Sequence, residues 1–150
     1  SPLRDGLLFF DPSGPDSRWR FDDAADHDSK PLPAVDGPYQ PVIGHFREPD
    51  SNSDSVYWYR PGAGADLLWF FSGSGNVVVD DSPPQVTGTY DTAVGDYDGN
   101  GVQDIAWEAN GQASIWLFSA VDDGAISQTT ASTGIVPTTI AFGHTDPADL

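Results

Sequence analysis

Cysteine is absent, which removes both a disulfide framework and a thiolate metal site. Basic residues are scarce: one Lys and five Arg stand against 21 Asp, Glu48 and Glu108, for a net charge of −17. Phosphate contacts need a basic face, so nucleic-acid binding is excluded, and an anionic membrane surface would repel the chain. No apolar run reaches the roughly 20 residues of a membrane-spanning helix. No secretory leader is visible either, and a mature or trimmed chain would have lost one. Helix-length periodic segments are missing. So are a Gly-x-Ser-x-Gly elbow, a His-Glu-x-x-His pair and a phosphate loop, and catalysis is not expected. Paired carboxylates could hydrolyse glycosides, but 23 acidic residues guarantee such pairs by abundance alone.

What remains is a chain of short apolar runs separated by turns. Its 150 residues suffice for one domain with a sizeable core; 18 are aromatic, and Gly and Pro supply 29 more, scattered between the runs. This pattern predicts many short strands. The Asp excess suits turns and a highly charged, soluble surface, with a few carboxylates available for a cation.

Self-similarity organises the rest. "YQPVIGHF", "YDTAVGDY" and "TTIAFGHT" align on Gly44, Gly95 and Gly143. After the first come "SVYWYRPG" and "DLLWFFSG"; after the second, "DIAWEANG" and "ASIWLFSA", so Trp58 matches Trp107 and Trp69 matches Trp116. The remainder of the third copy lies at the other end of the chain, where "GLLFFDPSG" and "DSRWRFDD" place Phe9 and Trp19 in register. The glycine-to-glycine steps are 51 and 48 residues, and 51 again through the termini. Three units result: 38–88, 89–136, and one divided between 1–37 and 137–150.

Each unit reads as four strands. In the second these are Tyr90 to Gly95, Asp104 to Glu108, Ala113 to Phe118, and a strand within Ile126 to Ser132. Alternation in "ASIWLFSA" puts Ile115 and Leu117 on one face and Trp116 and Phe118 on the other, so both faces need cover. Radial stacking of such sheets supplies it, which predicts an all-β fold of β-propeller type built of four-stranded antiparallel blades. Propellers typically have about 4 to 8 blades, so three blade equivalents call for a second copy, making six, or for further chain.

The stretch "GDYDGNGVQDIAW" carries the sharpest chemistry. Asp96, Asp98, Asn100 and Asp104 occupy positions 1, 3, 5 and 9 of a turn, the Val102 carbonyl fills position 7, and Gly99 and Gly101 permit the backbone angles required. Such an oxygen-only set suits calcium better than zinc. It is no EF-hand, since position 12 is Trp107 where that loop has Glu. The plainer alternative is a polar turn without an ion, in which the carboxylates would repel one another. The matching turns carry His45 and Arg47, and His144 with Asp146, which predicts one calcium site and two decayed ones. The two His can be read as pH switches or metal ligands, or as filling a degenerate turn; His27 reads as a solvated loop residue.

"VGDYDGNGVQDIAWEANGQASIWLF" resembles an FG-GAP or VCBS-type repeat, the blade of integrin-α-like propellers. "GHFREPDSNSDSVYWYRPGAGADLLWFFSG" resembles the variant common in secreted actinobacterial proteins. The resemblance implies an extracellular, calcium-stabilised propeller but no single activity, since the fold hosts adhesins, lectins and domains appended to enzymes. The expected function is therefore non-catalytic recognition or assembly, including self-association through the divided unit. Alternatives are a lectin-like carbohydrate binder and an accessory domain of a secreted polysaccharide hydrolase or lyase. Trp19, Trp58, Trp69, Trp107 and Trp116, at matched positions, are expected between sheets. Tyr57, Tyr59 and Arg60 have no counterparts of the same type in the second copy and are candidates for a ligand surface on protein or glycan.

Overall fold

A computed structural model describes residues 6–21, 27–47, 54–72, 75–80, 83–122, 125–135 and 140. Eleven strands and no helix occur among them, so no described helix is long and apolar enough to cross a membrane. Three antiparallel sheets result, each pairing strands in chain order. The first contains β1 (Gly6–Phe9), β2 (Ser17–Phe21) and β3 (His27–Pro31). The second contains β4 (Gln40–Gly44), β5 (Ser55–Tyr59), β6 (Leu67–Phe71) and β7 (Val77–Val79). The third contains β8 (Asp91–Gly95), β9 (Asp104–Ala109), β10 (Gln112–Phe118) and β11 (Ile126–Ser132).

Strand ends in the third sheet fall within one residue of those expected from alternation and turn residues. The β9–β10 hairpin is closed by Asn110 and Gly111 alone, with φ of 52° and 79°, the type I′ geometry that matches strand twist. The expected strand within 137–150, with Gly143, His144 and Asp146, lies outside the described residues.

The second sheet is covered on both faces, and β5 is buried at every position. Alternation divides its side chains. Val56 and Trp58, with Trp69 of β6, form one core with Val35, against which Leu8, Phe10 and Leu32 of the first unit pack. Tyr57 and Tyr59, with Val42, Leu68 and Phe70, form a second core with Ile105, Trp107, Trp116 and Phe118 of the third sheet. Edge-on ring contacts lock it: Tyr57 meets Trp107 and Trp116 at 5.6 and 5.5 Å, and Tyr59 meets Trp107 at 5.1 Å. Truncating such a ring costs about 3–5 kcal/mol.

Both seams have the same polarity. Trp58 and Trp69 face the preceding sheet, and so do Trp107 and Trp116. We call this the front face of a sheet; each front meets the back of the sheet before it.

Two buried aspartates fasten loops to the first and second sheets. Asp16 accepts N–H groups from Asp11 (2.9 Å) and Val35 (2.8 Å); Asp66 accepts them from Arg60 (2.7 Å) and Val86 (2.6 Å). Asp16 and Asp66 stand three residues before Trp19 and Trp69, whereas Ala113 stands three before Trp116. A carboxylate answering two backbone N–H groups satisfies donors that would otherwise be left without partners.

Candidate metal centre

The turn joining β8 to β9 is built by its own side chains. Gly99 and Gly101 take φ of 77° and 94°, as their lack of a Cβ permits. This aims successive N–H groups inward: Asp96 Oδ1 accepts from Gly99 (2.8 Å) and Asn100 (3.1 Å), and Oδ2 accepts from Gly101 (3.0 Å). Asp98 Oδ1 accepts a second contact from the Asn100 N–H at 3.1 Å. At the start of β9, Asp104 is fully buried; its Oδ2 accepts the Tyr97 N–H (2.7 Å) and its Oδ1 the Phe118 N–H (2.8 Å).

Asp96, Asp98 and Asp104 each thereby offer a carboxylate oxygen within 4.8 Å of the others. Burial pushes the Asp104 pKa above its ordinary value; the two N–H donors oppose this, and the charges of Asp98 and Asp96 add to it. Three hard oxygen donors around one point can hold a metal ion, which would turn their mutual repulsion into attraction.

Of the five expected ligands, the three carboxylates come together in this way. Asn100 also braces the turn: its Nδ2 donates to the Phe118 carbonyl (2.8 Å) and to Asp98 Oδ2 (3.1 Å), while its Oδ1 accepts the Val102 N–H (2.9 Å). The Val102 side chain is fully buried in the core between the second and third sheets, anchoring the turn from beneath. Gln103, not singled out in the sequence, fixes the turn to the second sheet. Its Oε1 accepts the His45 N–H (2.8 Å) and its own N–H donates to the His45 carbonyl (2.7 Å). Nearby, a Cβ on Gly44 would sit 2.8 Å from Val94 Cγ1 and closer still to the Phe46 ring, so the approach of β4 to β8 requires glycine.

The corresponding turn after β4 differs. His45 Nδ1 lies 3.6 Å from Asp54 Oδ1, and the Arg47 guanidinium lies 4.6 Å over the Phe70 ring; residues 48–53 are outside the described set.

Tyr57 and Tyr59 correct the expectation of an exposed ligand surface. Both are fully buried, because both faces of β5 are covered. The Tyr59 hydroxyl donates to the Gly88 carbonyl (2.6 Å) and accepts the Tyr90 N–H (3.0 Å); the Tyr57 hydroxyl lies between Asp66 Oδ2 and the Pro84 carbonyl. Burial and the Asp66 charge raise the Tyr57 pKa far above the usual phenol range. Arg60 is partly exposed, its guanidinium 5.7 Å over the Tyr39 ring. Four tryptophans occupy the seams as expected, whereas Trp19 is half-buried on the outer face of the first sheet. His27 lies in β3, not in a loop, and stacks on Trp19 at 3.9 Å.

Beside the acidic turn is an open depression of about 470 Å³, lined by Asp98, Asn100, Leu117, Phe118, Val121 and Ile126 among others. Comparison with family models, with curated proteins and with solved structures gave no match.

Proposed function

We propose that this chain is a non-catalytic, extracellular module of β-propeller type, in which one calcium ion stiffens the β8–β9 turn and whose role is recognition or assembly. The observation that carries the reading is the convergence of Asp96, Asp98 and Asp104 within 4.8 Å, one of them fully buried. Asn100 and the Val102 carbonyl complete the proposed ligand set. Calcium would supply charge neutralisation and rigidity here, not catalysis. The propeller reading is supported by the shared polarity of the two seams and by Trp58 and Trp107 holding corresponding places in β5 and β9.

Calorimetric titration and thermal melting test the site. Calcium is expected to raise the melting temperature of the native chain and not that of Asp96→Ala/Asp98→Ala. Identical melting of the native chain with calcium and with chelator would remove the calcium reading. The depression beside Asp98 favours a second reading, a calcium-assisted glycan binder, because apolar Leu117 and Val121 adjoin the carboxylates there. A glycan array probed with and without calcium separates this from a purely structural ion.

A further inference from the structure

The stack ends in two faces of opposite kind against which no described sheet packs. On the first sheet, Leu8 packs toward the second sheet, so Leu7 and Phe9 point the other way, 47% and 42% exposed. They share that outer face with Trp19, its ring centroid 4.7 Å from that of Phe9, and with Phe21 and His27. This is a front face, the side that bears Trp58 in the second sheet and Trp107 in the third. On the third sheet, Trp107 and Trp116 point toward the second, which leaves Ala93, Ala106, Ala113, Ile115 and Leu117 on the outer side with Asp91 and Glu108; Ala106 and Glu108 are buried, Asp91 is exposed and the rest are half-buried. This is a back face, the side that receives a neighbouring front in the first and second sheets.

Both seams within the chain are front on back, and the ends present one unused front and one unused back. We propose that a second copy of this chain supplies the missing partners: the front of each copy's first sheet seats on the back of the other's third sheet. The proposal rests on the propeller reading above and extends it by naming the partner and the contact.

Shape and charge both favour the match. The bulky rings of Phe9, Trp19 and Phe21 meet a surface in which three of the five named apolar residues are alanine. The five named front-face side chains include no carboxylate, so Asp91 and Glu108 of the back face would meet no like charge there. A front-on-back contact either closes, between two copies as a two-fold pair, or propagates as an open array. Two copies bring six sheets together, within the range of about 4 to 8 that closes a propeller.

Sedimentation equilibrium of the native chain across the micromolar to millimolar range tests the proposal, alongside Phe9→Asp on the front and Ile115→Asp on the back. Circular dichroism and calcium-dependent melting report whether each variant is folded. The native chain is expected as a closed pair and each variant alone as a monomer. An equimolar mixture should re-form a pair, because the Phe9 front of one variant still meets the Ile115 back of the other. A dimer in which front meets front, or back meets back, would not show this complementation. A folded native monomer at the highest concentration, open-ended polymers, or a mixture no more associated than its components would overturn the proposal. A monomer that still melts higher with calcium would overturn the pair while leaving the calcium reading intact.

Discussion

Asp66 and Asp104 are both buried carboxylates beside a strand, in neighbouring sheets, and each accepts two backbone N–H groups. Their surroundings differ in the third contact. Asp66 meets the Tyr57 hydroxyl at 3.1 Å, a neutral donor, whereas Asp104 meets two more carboxylates. The first charge is answered wholly by protein donors. The second sits in a cluster whose repulsion the protein's donors only partly offset, and burial raises its pKa. A buried carboxylate therefore marks a fastening point or a candidate cation site according to its neighbours, not according to its burial.

The largest expected effect comes from breaking the self-sufficient member of this pair. Asp66→Ala leaves the Arg60 and Val86 N–H groups without their acceptor and should cost about 4 kcal/mol, near the upper end for single substitutions. Urea unfolding should show the same loss with calcium and with chelator. A loss confined to the calcium condition would mean that Asp66 and Asp104 are not different in kind.

Asp104→Asn sharpens the contrast from the other side. The amide nitrogen cannot accept, so either the Tyr97 or the Phe118 N–H loses its partner, while one negative charge leaves the cluster. In calcium the variant should be about 2 kcal/mol less stable than the native chain, a charge-assisted hydrogen bond and a ligand being lost together. In chelator the relief of repulsion from Asp96 and Asp98 should offset part of this. Equal losses in both conditions would show that Asp104 serves as a second Asp66.

The same contrast explains what was legible in the sequence. Strand positions were, because alternation in "ASIWLFSA" and the turn residues around it constrain local geometry directly. Asp96, Asp98 and Asp104 were as well, since their spacing and two glycines define a turn without reference to the rest of the chain. Asp16 and Asp66 were not, because single aspartates are lost among 21; only their shared place three residues before a tryptophan distinguishes them. Tyr57 and Tyr59 misled for a tertiary reason. They flank Trp58 as Ala106 and Glu108 flank Trp107, and the mismatch in type suggested a surface. Their side chains in fact fill the seam between the second and third sheets, while Ala106 and Glu108 lie on the outer face of the third, where no described sheet requires large rings.

The smallest effect is the dependence of Asp104 on pH, and its sign turns on whether a cation is bound. Because the Asp104 pKa is raised above its ordinary value of 3.8, the native state without cation holds this proton more tightly than the unfolded chain does. Stability from this group is then present below the ordinary value and is lost as pH rises through the raised one. Calcium bound as proposed would reverse the sign, since a bound cation requires the ionised form and its affinity rises as the proton leaves. Other carboxylates titrate in the same window, so the quantity to measure is the difference in unfolding free energy between the native chain and Asp104→Asn. In chelator that difference should move in favour of the variant as pH rises through the window; in calcium it should move in favour of the native chain. Parallel pH profiles in the two conditions would mean that no cation engages Asp104, and that its neighbours Asp96 and Asp98 shape the turn by their hydrogen bonds alone.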